Sequence, residues 1–119
     1  MLVVLRFAVD DEPAFLDQAH EALAVLATRP GYQAGTLARA YDDPTLWCLI
    51  TVWESVGTYR RALGAYDVKL RATPLLARAL PEASAFEPLA TAGAGQPVAI
   101  ASSDRTPAAP TDGGIASRP

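Results

Sequence analysis

The chain has 119 residues, of which ten are Lys or Arg and thirteen Asp or Glu, for a net charge of -3. That length suits one domain with a single two-layer core, and an acidic balance with no basic stripe argues against a nucleic-acid or anionic-membrane surface. One His and one Cys are too few for a metal site at any familiar ligand spacing, or for an internal disulfide.

The N-terminal stretch "MLVVLRFAVDD" has no basic leader, and Arg6 interrupts its apolar run, so it does not read as a signal peptide. No segment approaches the roughly 20 apolar residues of a membrane span. A cytoplasmic protein is the expectation. Leu2 to Val9, rich in β-branched and aromatic residues, predicts a first strand. The period then changes. From Asp10 to Gly31 the chain opens with acidic residues and Pro13, and it places Phe15, Leu16, Ala19, Leu23 and Leu26 at helical spacing. It stops at Arg29-Pro30-Gly31, which predicts the first helix. Asp10, Asp11 and Glu12 read as helix-start charges favoured by the macrodipole.

Tyr32 to Tyr41 predicts a second strand, Asp42-Asp43-Pro44 a turn, and Leu46 to Trp53 a third strand in hairpin with it. Ser55 is placed to cap a helix carrying Val56, Tyr59 and Leu63. A broken helical segment is expected from Asp67 to Leu80, with Val68, Leu75, Leu76 and Ala79 turned inward and new starts at Asp67 and Thr73-Pro74. Ser84 to Ala90 would be the fourth strand. The order β-α-β-β-α-β predicts an α+β, ferredoxin-like sandwich over residues 1–90. Residues 91–119 are rich in Ala, Gly, Pro, Ser and Thr, a composition that buries too little surface to offset its ordering entropy, and read as a flexible tail. Within it, Pro97 to Ala101 has the makings of a strand that pairs with a sheet edge.

The third strand poses a problem. Trp47, Leu49, Thr51 and Trp53 alternate with Cys48, Ile50 and Val52, so both faces are apolar. The helices of one copy cover one face only. A second copy is the simplest cover for the other, which predicts a homodimer with its sheets back to back.

For chemistry, "AGAGQP" follows no strand-to-helix unit and reads as linker rather than a phosphate loop, and no cofactor is expected. His20 sits at the border of the first helix's apolar stripe, where a solvated role is the ordinary one. What remains is an aromatic interior with polar tips: Trp47, Trp53, Tyr59, Tyr66, Thr51 and Arg6. Such side chains suit a flat, partly polar ligand by stacking and hydrogen bonding. They equally suit plain core packing.

The element order, the "RPGY" before the second strand and "VWESVGTY" at the end of the third strand and beyond resemble the antibiotic biosynthesis monooxygenase family of dimeric α/β-barrel proteins, over roughly Leu2 to Leu89. The resemblance implies a dimeric barrel and a small aromatic ligand. In the branch that oxidises polycyclic polyketides to quinones without metal or flavin, it places catalytic roles on Trp53 and Tyr59. Trp47, Thr51, Tyr66 and Arg6 would then bind substrate. Leu49 and Ala38 stand where that branch has an Asn and a His. The haem-cleaving branch needs an Asn on the first strand, where this chain has none, and a Trp and a His where it has Ala62 and Ala72. Two functions follow: a cofactor-independent monooxygenase-like protein acting on hydroxylated aromatic or quinone-type molecules in secondary metabolism, or a non-catalytic dimeric binding module. A third, isomerase or cyclase activity, would need a proton-transfer group from among Tyr59, His20, Asp67 and Glu54.

Overall fold

The computed structural model describes residues 1–101. Among the described residues it divides into two compact units, the first spanning 1–86 and the second beginning at residue 87. The first is a ferredoxin-like β-α-β-β-α-β unit in which helices cover one face of a four-stranded sheet of order β2-β3-β1-β4. Its strands are β1 (Leu2–Ala8), β2 (Tyr32–Arg39), β3 (Leu46–Trp53) and β4 (Ala85–Phe86), all pairing antiparallel. β3 lies in the middle, so it is the strand whose two faces must both be accounted for.

Helix α1 (Glu12–Leu26) begins where Asp11 accepts a hydrogen bond from the Ala14 N–H and Pro13 occupies the first turn. Both features satisfy or remove amide donors that a helix start leaves orphaned. The buried stripe is Phe15, Ala19, Ala22, Val25 and Leu26. Leu16 and Leu23, expected inward, lie at its half-buried margin. After α1 the chain reverses at Gly31, whose φ of 88° lies in the left-handed region. A Cβ there would overlap the side chain of Thr58. Glycine is therefore required on two grounds, backbone sterics and close approach.

The second helical segment is broken into α2 (Val56–Gly64), α3 (Tyr66–Arg71) and α4 (Thr73–Leu76). Ser55 and Thr58 form a reciprocal capping box at the start of α2, which satisfies two helix-start donors at once. The break before α3 falls at Ala65, whose ψ of 141° is extended, so that α3 starts at Tyr66, one residue ahead of the expected start at Asp67. α4 opens at Thr73 with Pro74 in its first turn. Val68, Ala72 and Leu75 face the core.

β3 alternates strictly, with Trp47, Leu49, Thr51 and Trp53 buried under the helices and Leu46, Cys48, Ile50 and Val52 half-buried on the other face. Cys48 thus lies on the uncovered side rather than inside the core. Its cross-strand neighbours there are Arg6 on β1 and Ala38 on β2. Leu2, Val4, Ile50 and Val52 continue this apolar face, with Phe86 48% exposed at its edge.

Three strands are shorter than expected, β1 by the single residue Val9. β2 ends at Arg39, and β4 is two residues because the chain meets β1 only briefly, through Val4 N–H to the Ser84 carbonyl at 2.7 Å and the Leu2↔Phe86 and Val3↔Ala85 pairs. The second unit contains a small hairpin of β5 (Ala90–Thr91) and β6 (Ala99–Ile100). The stretch read as a tail therefore holds paired strands in its described part. Its segment Pro97 to Ala101 pairs with Ala90–Thr91 rather than with an edge of the large sheet. The rest of that stretch, 102–119, lies outside the described residues. Among the described residues no helix is long and apolar enough to cross a membrane.

Gly31→Ala should cost about 2–4 kcal/mol in urea unfolding, from left-handed strain plus overlap with Thr58. Gly64→Ala, where a Cβ meets nothing within 4 Å, should be neutral or stabilising by up to about 1 kcal/mol. Equal effects at the two positions would refute the Gly31 account. Ser55→Ala should cost about 1 kcal/mol through the lost cap, read in the same unfolding assay.

Candidate functional site

Tyr59 follows from the capping of α2. Ser55 and Thr58 fix the first turn, and Tyr59, one residue later, faces the space between α2, α3, α4 and the near edge of the sheet. A partly open cavity of about 550 Å³ lies there, within the roughly 300–1,000 Å³ range of small-molecule sites. Leu5, Leu63, Leu76 and Ala77 supply its apolar wall, and Tyr59, Thr73 and Lys69 its polar tips. The cavity exists because the helical segment is broken. A continuous helix would run past the sheet without the turns that set Lys69, Thr73 and Leu76 around one space.

The Tyr59 hydroxyl has no hydrogen-bond partner among the described residues, while its ring packs on Trp53 at 5.3 Å between centroids. Burial pushes its phenol above the ordinary tyrosine value, because desolvation disfavours the charged form. It is therefore a neutral O–H donor with nothing to donate to. The Thr73 hydroxyl reaches the Val68 carbonyl at 3.4 Å, so its oxygen is free to accept. No His, Asp or Glu lines the cavity. His20, Glu54 and Asp67 are all exposed elsewhere.

The other expected site residues do not gather around Tyr59. Trp53 is 1% exposed and sits beneath Tyr59 without lining the cavity. Its indole N–H donates to Thr51 Oγ1 at 2.8 Å, and its ring meets Tyr32 edge-on at 5.4 Å. Its hydrogen-bonding group is thus consumed by the core, and so is the Thr51 hydroxyl. Trp47 shares the face of Trp53, but six residues of strand put them about 20 Å apart. It packs on Phe15, with the Arg39 guanidinium 5.5 Å from its ring centre, and its Nε1 is buried with no partner among the described residues.

Arg6 lies on the uncovered face of the sheet. Its guanidinium grips Glu82 through two hydrogen bonds of 2.6 and 2.9 Å. The Leu80 N–H to the Arg6 carbonyl, at 2.8 Å, brings that segment alongside β1. With Trp47 and Arg39 it borders a separate hollow of about 150 Å³. Tyr66 is 75% exposed and lines neither space. Conversely, Lys69 and Thr73 escaped the sequence reading. They carry no aromatic signature, and the breaks at Ala65 and Ala72 set them beside Tyr59. Among the described residues no group of three or more His, Cys, Asp and Glu could hold a metal ion.

Comparison with known proteins gives this geometry a context. The family model described as antibiotic biosynthesis monooxygenase matches residues 1–69. SnoaB from Streptomyces nogalater, a cofactor-independent oxygenase, is 32% identical over 66% of this chain and 82% of its own, with a TM-score of 0.58. A conserved protein from Methanosarcina mazei Go1 (16% identity, 71% of this chain and 84% of its own, TM-score 0.58) is similar in fold. So is a putative antibiotic biosynthesis monooxygenase from Nitrosomonas europaea (15%, 71% and 90%, TM-score 0.56). No curated protein matches the chain. With more than half of its length matched by the family model, the chain belongs to the antibiotic biosynthesis monooxygenase family.

Proposed function

We propose that this monooxygenase-like protein oxidises a hydroxylated aromatic or quinone-type molecule with O₂, without a cofactor, in secondary metabolism, and that the cavity beside Tyr59 is where it does so. The observation that carries the reading is the unpartnered Tyr59 hydroxyl on the wall of an apolar cavity. The 32% identity to SnoaB, a cofactor-independent oxygenase, supports it.

The chemistry asks little of the protein. An anthrone-type substrate, once ionised, gives an electron to O₂. The ring CH₂ then becomes a carbonyl, one oxygen atom entering the product and the other leaving as water with the two hydrogens lost from carbon. A dry wall that holds the ring system and one donor at the substrate oxygen supply orientation and charge stabilisation. Tyr59 is that donor. Trp53 takes part by fixing the Tyr59 ring, so its role is positioning rather than contact with substrate. The absence of a carboxylate or imidazole from the lining argues against an isomerase or cyclase, which needs a proton carrier. A non-catalytic binding module of the same fold is the second reading, favoured by Leu49 and Ala38 at the places where quinone-forming relatives carry polar groups.

The working form is a homodimer. The face built from Leu2, Val4, Ile50, Val52 and Phe86 is apolar and uncovered by the helices of its own chain, and a second copy buries it.

Oxygen uptake with anthrones, hydroquinones and naphthols tests the activity. Tyr59→Phe should lower turnover about tenfold, or 1.4 kcal/mol, while changing stability by less than about 0.5 kcal/mol because its hydroxyl holds nothing in the fold. Trp53→Phe should also lower turnover, yet destabilise by about 1–3 kcal/mol, since Thr51 loses its donor and the core loses volume. No uptake above the protein-free rate, from a folded chain that still binds these compounds, would favour the binding module. Light scattering should report a dimer at micromolar concentration, and Ile50→Glu should give a folded monomer. A monomeric parent chain would remove the dimer from the proposal.

A further inference from the structure

The cavity beside Tyr59, taken as the ligand site proposed above, has one charged residue on its wall. Lys69 is the only lysine in the chain. It stands on α3, exposed at the rim, and shares the lining with Tyr59 and Thr73. Its ammonium has no ion pair or hydrogen bond among the described residues. Arg6, Arg39 and Arg71 of the same unit are each held by a carboxylate, that of Glu82, Glu12 and Glu21 respectively. No acidic side chain lines the cavity to neutralise Lys69.

A cation beside an apolar wall acts on a nearby charge more strongly than the same cation in bulk water, because the wall lowers the local dielectric. The lysine stem can lie along that wall while its tip stays hydrated. Arg60 and Arg61 on α2 are also exposed without an ion pair among the described residues, but Lys69 is the cation that lines the cavity, in a chain whose net charge of -3 disfavours anions over most of its surface. Arg6, the cation expected among the substrate-binding residues, is committed to Glu82 on the other face of the sheet.

We infer that Lys69 selects ligands by charge. The cavity takes an aromatic molecule bearing an anionic oxygen, its rings against Leu5, Leu63 and Leu76 and its charge toward the Lys69 ammonium. Tyr59 and Lys69 then approach the ligand as two donors, which suits a ligand whose polar groups are acceptors. The inference rests on the cavity being the ligand site, and the test separates the two ideas.

Titration calorimetry on the full chain with two matched pairs decides it. Lawsone, an enolate at neutral pH, is compared with its methyl ether, and naphthoate with naphthamide. The unmodified chain should bind the anion of at least one pair about fivefold or more tighter than its neutral partner, the scale of an ion pair at a partly screened site. Preference within the lawsone pair alone assigns the charge to a ring oxygen, and within the naphthoate pair alone to a carboxylate. Lys69→Gln should bring the preference close to unity, and Lys69→Arg should retain it. Since the chain has a single lysine, isotope labelling of lysine gives one side-chain ammonium signal by NMR, which should move with the anion and little with its neutral partner. Equal binding of anion and neutral partner in both pairs, or a preference that survives Lys69→Gln, would overturn charge selection while leaving the cavity as a ligand site. Failure of the folded chain to bind any of the four would overturn both.

Discussion

The placement of everything around Tyr59 depends on how Trp53 is packed at the end of β3. Its indole is closed on three sides: edge-on to Tyr32, bonded to Thr51 at 2.8 Å, and under Tyr59. The next backbone N–H, of Glu54, donates to the Gly31 carbonyl at 2.8 Å. Gly31 in turn lies so close to Thr58 that it can carry no side chain. These contacts tie the end of α1, the end of β3 and the first turn of α2 together, and so fix the direction in which α2 leaves the sheet. A rigid departure matters because a donor must be held within a fraction of an ångström to act on one substrate oxygen.

The same contacts divide the labour within the two sequence patterns that marked the chain. "RPGY" contributes the reversal at Gly31 and the Tyr32 ring. "VWESVGTY" contributes Trp53, the Ser55–Thr58 capping box and Tyr59. The two patterns are far apart in sequence and meet in space. Trp53, Thr51, Ser55 and Thr58 spend their polar groups on one another, which buried polar groups must do to avoid a desolvation cost of a few kcal/mol each. Tyr59 keeps its hydroxyl unbonded and, unlike the partnerless Arg29 Nε, lines the cavity. The patterns therefore specify mainly a fold.

Much of the architecture was legible because it follows from period and punctuation. β3 could be bounded at Leu46 and Trp53 because strict alternation and the flanking Pro44 and Glu54-Ser55 leave little choice. α1 could be placed by Asp11, Pro13 and Gly31. The site was less legible. Trp47 and Trp53 share a face, and shared parity was read as shared location; but parity fixes a face and says nothing of distance along the strand, here about 20 Å. Arg6 looked available because its partner Glu82 lies 76 residues away, a pairing that no local pattern announces. Lys69 was passed over because a lysine in a short helix ordinarily faces water. Its place at a cavity depends on the breaks at Ala65 and Ala72; Thr73-Pro74 marked the second, while the first falls at an Ala with no side-chain cap, ahead of the expected start at Asp67.

Leu49 and Ala38 sharpen what this chain can do. They lie on opposite faces of the sheet, Leu49 buried at 1% exposure among the core side chains and Ala38 on the uncovered face beside Cys48. An Asn in place of Leu49 would need hydrogen-bond partners in a buried position paired with Leu5 and Leu37, where the nearby Thr51 hydroxyl is already bonded to Trp53, and leaving them unmade would cost about 1–3 kcal/mol. The core of this protein is thus built to pack at that position. Neither residue borders the cavity. The polar groups that do border it are Tyr59, Lys69 and Thr73, presented by α2, α3 and α4. With no imidazole or carboxylate among them, the proposed role of this wall is to bind and orient an oxygen-bearing ring and to stabilise negative charge on it, and on that proposal the reactivity resides in the substrate.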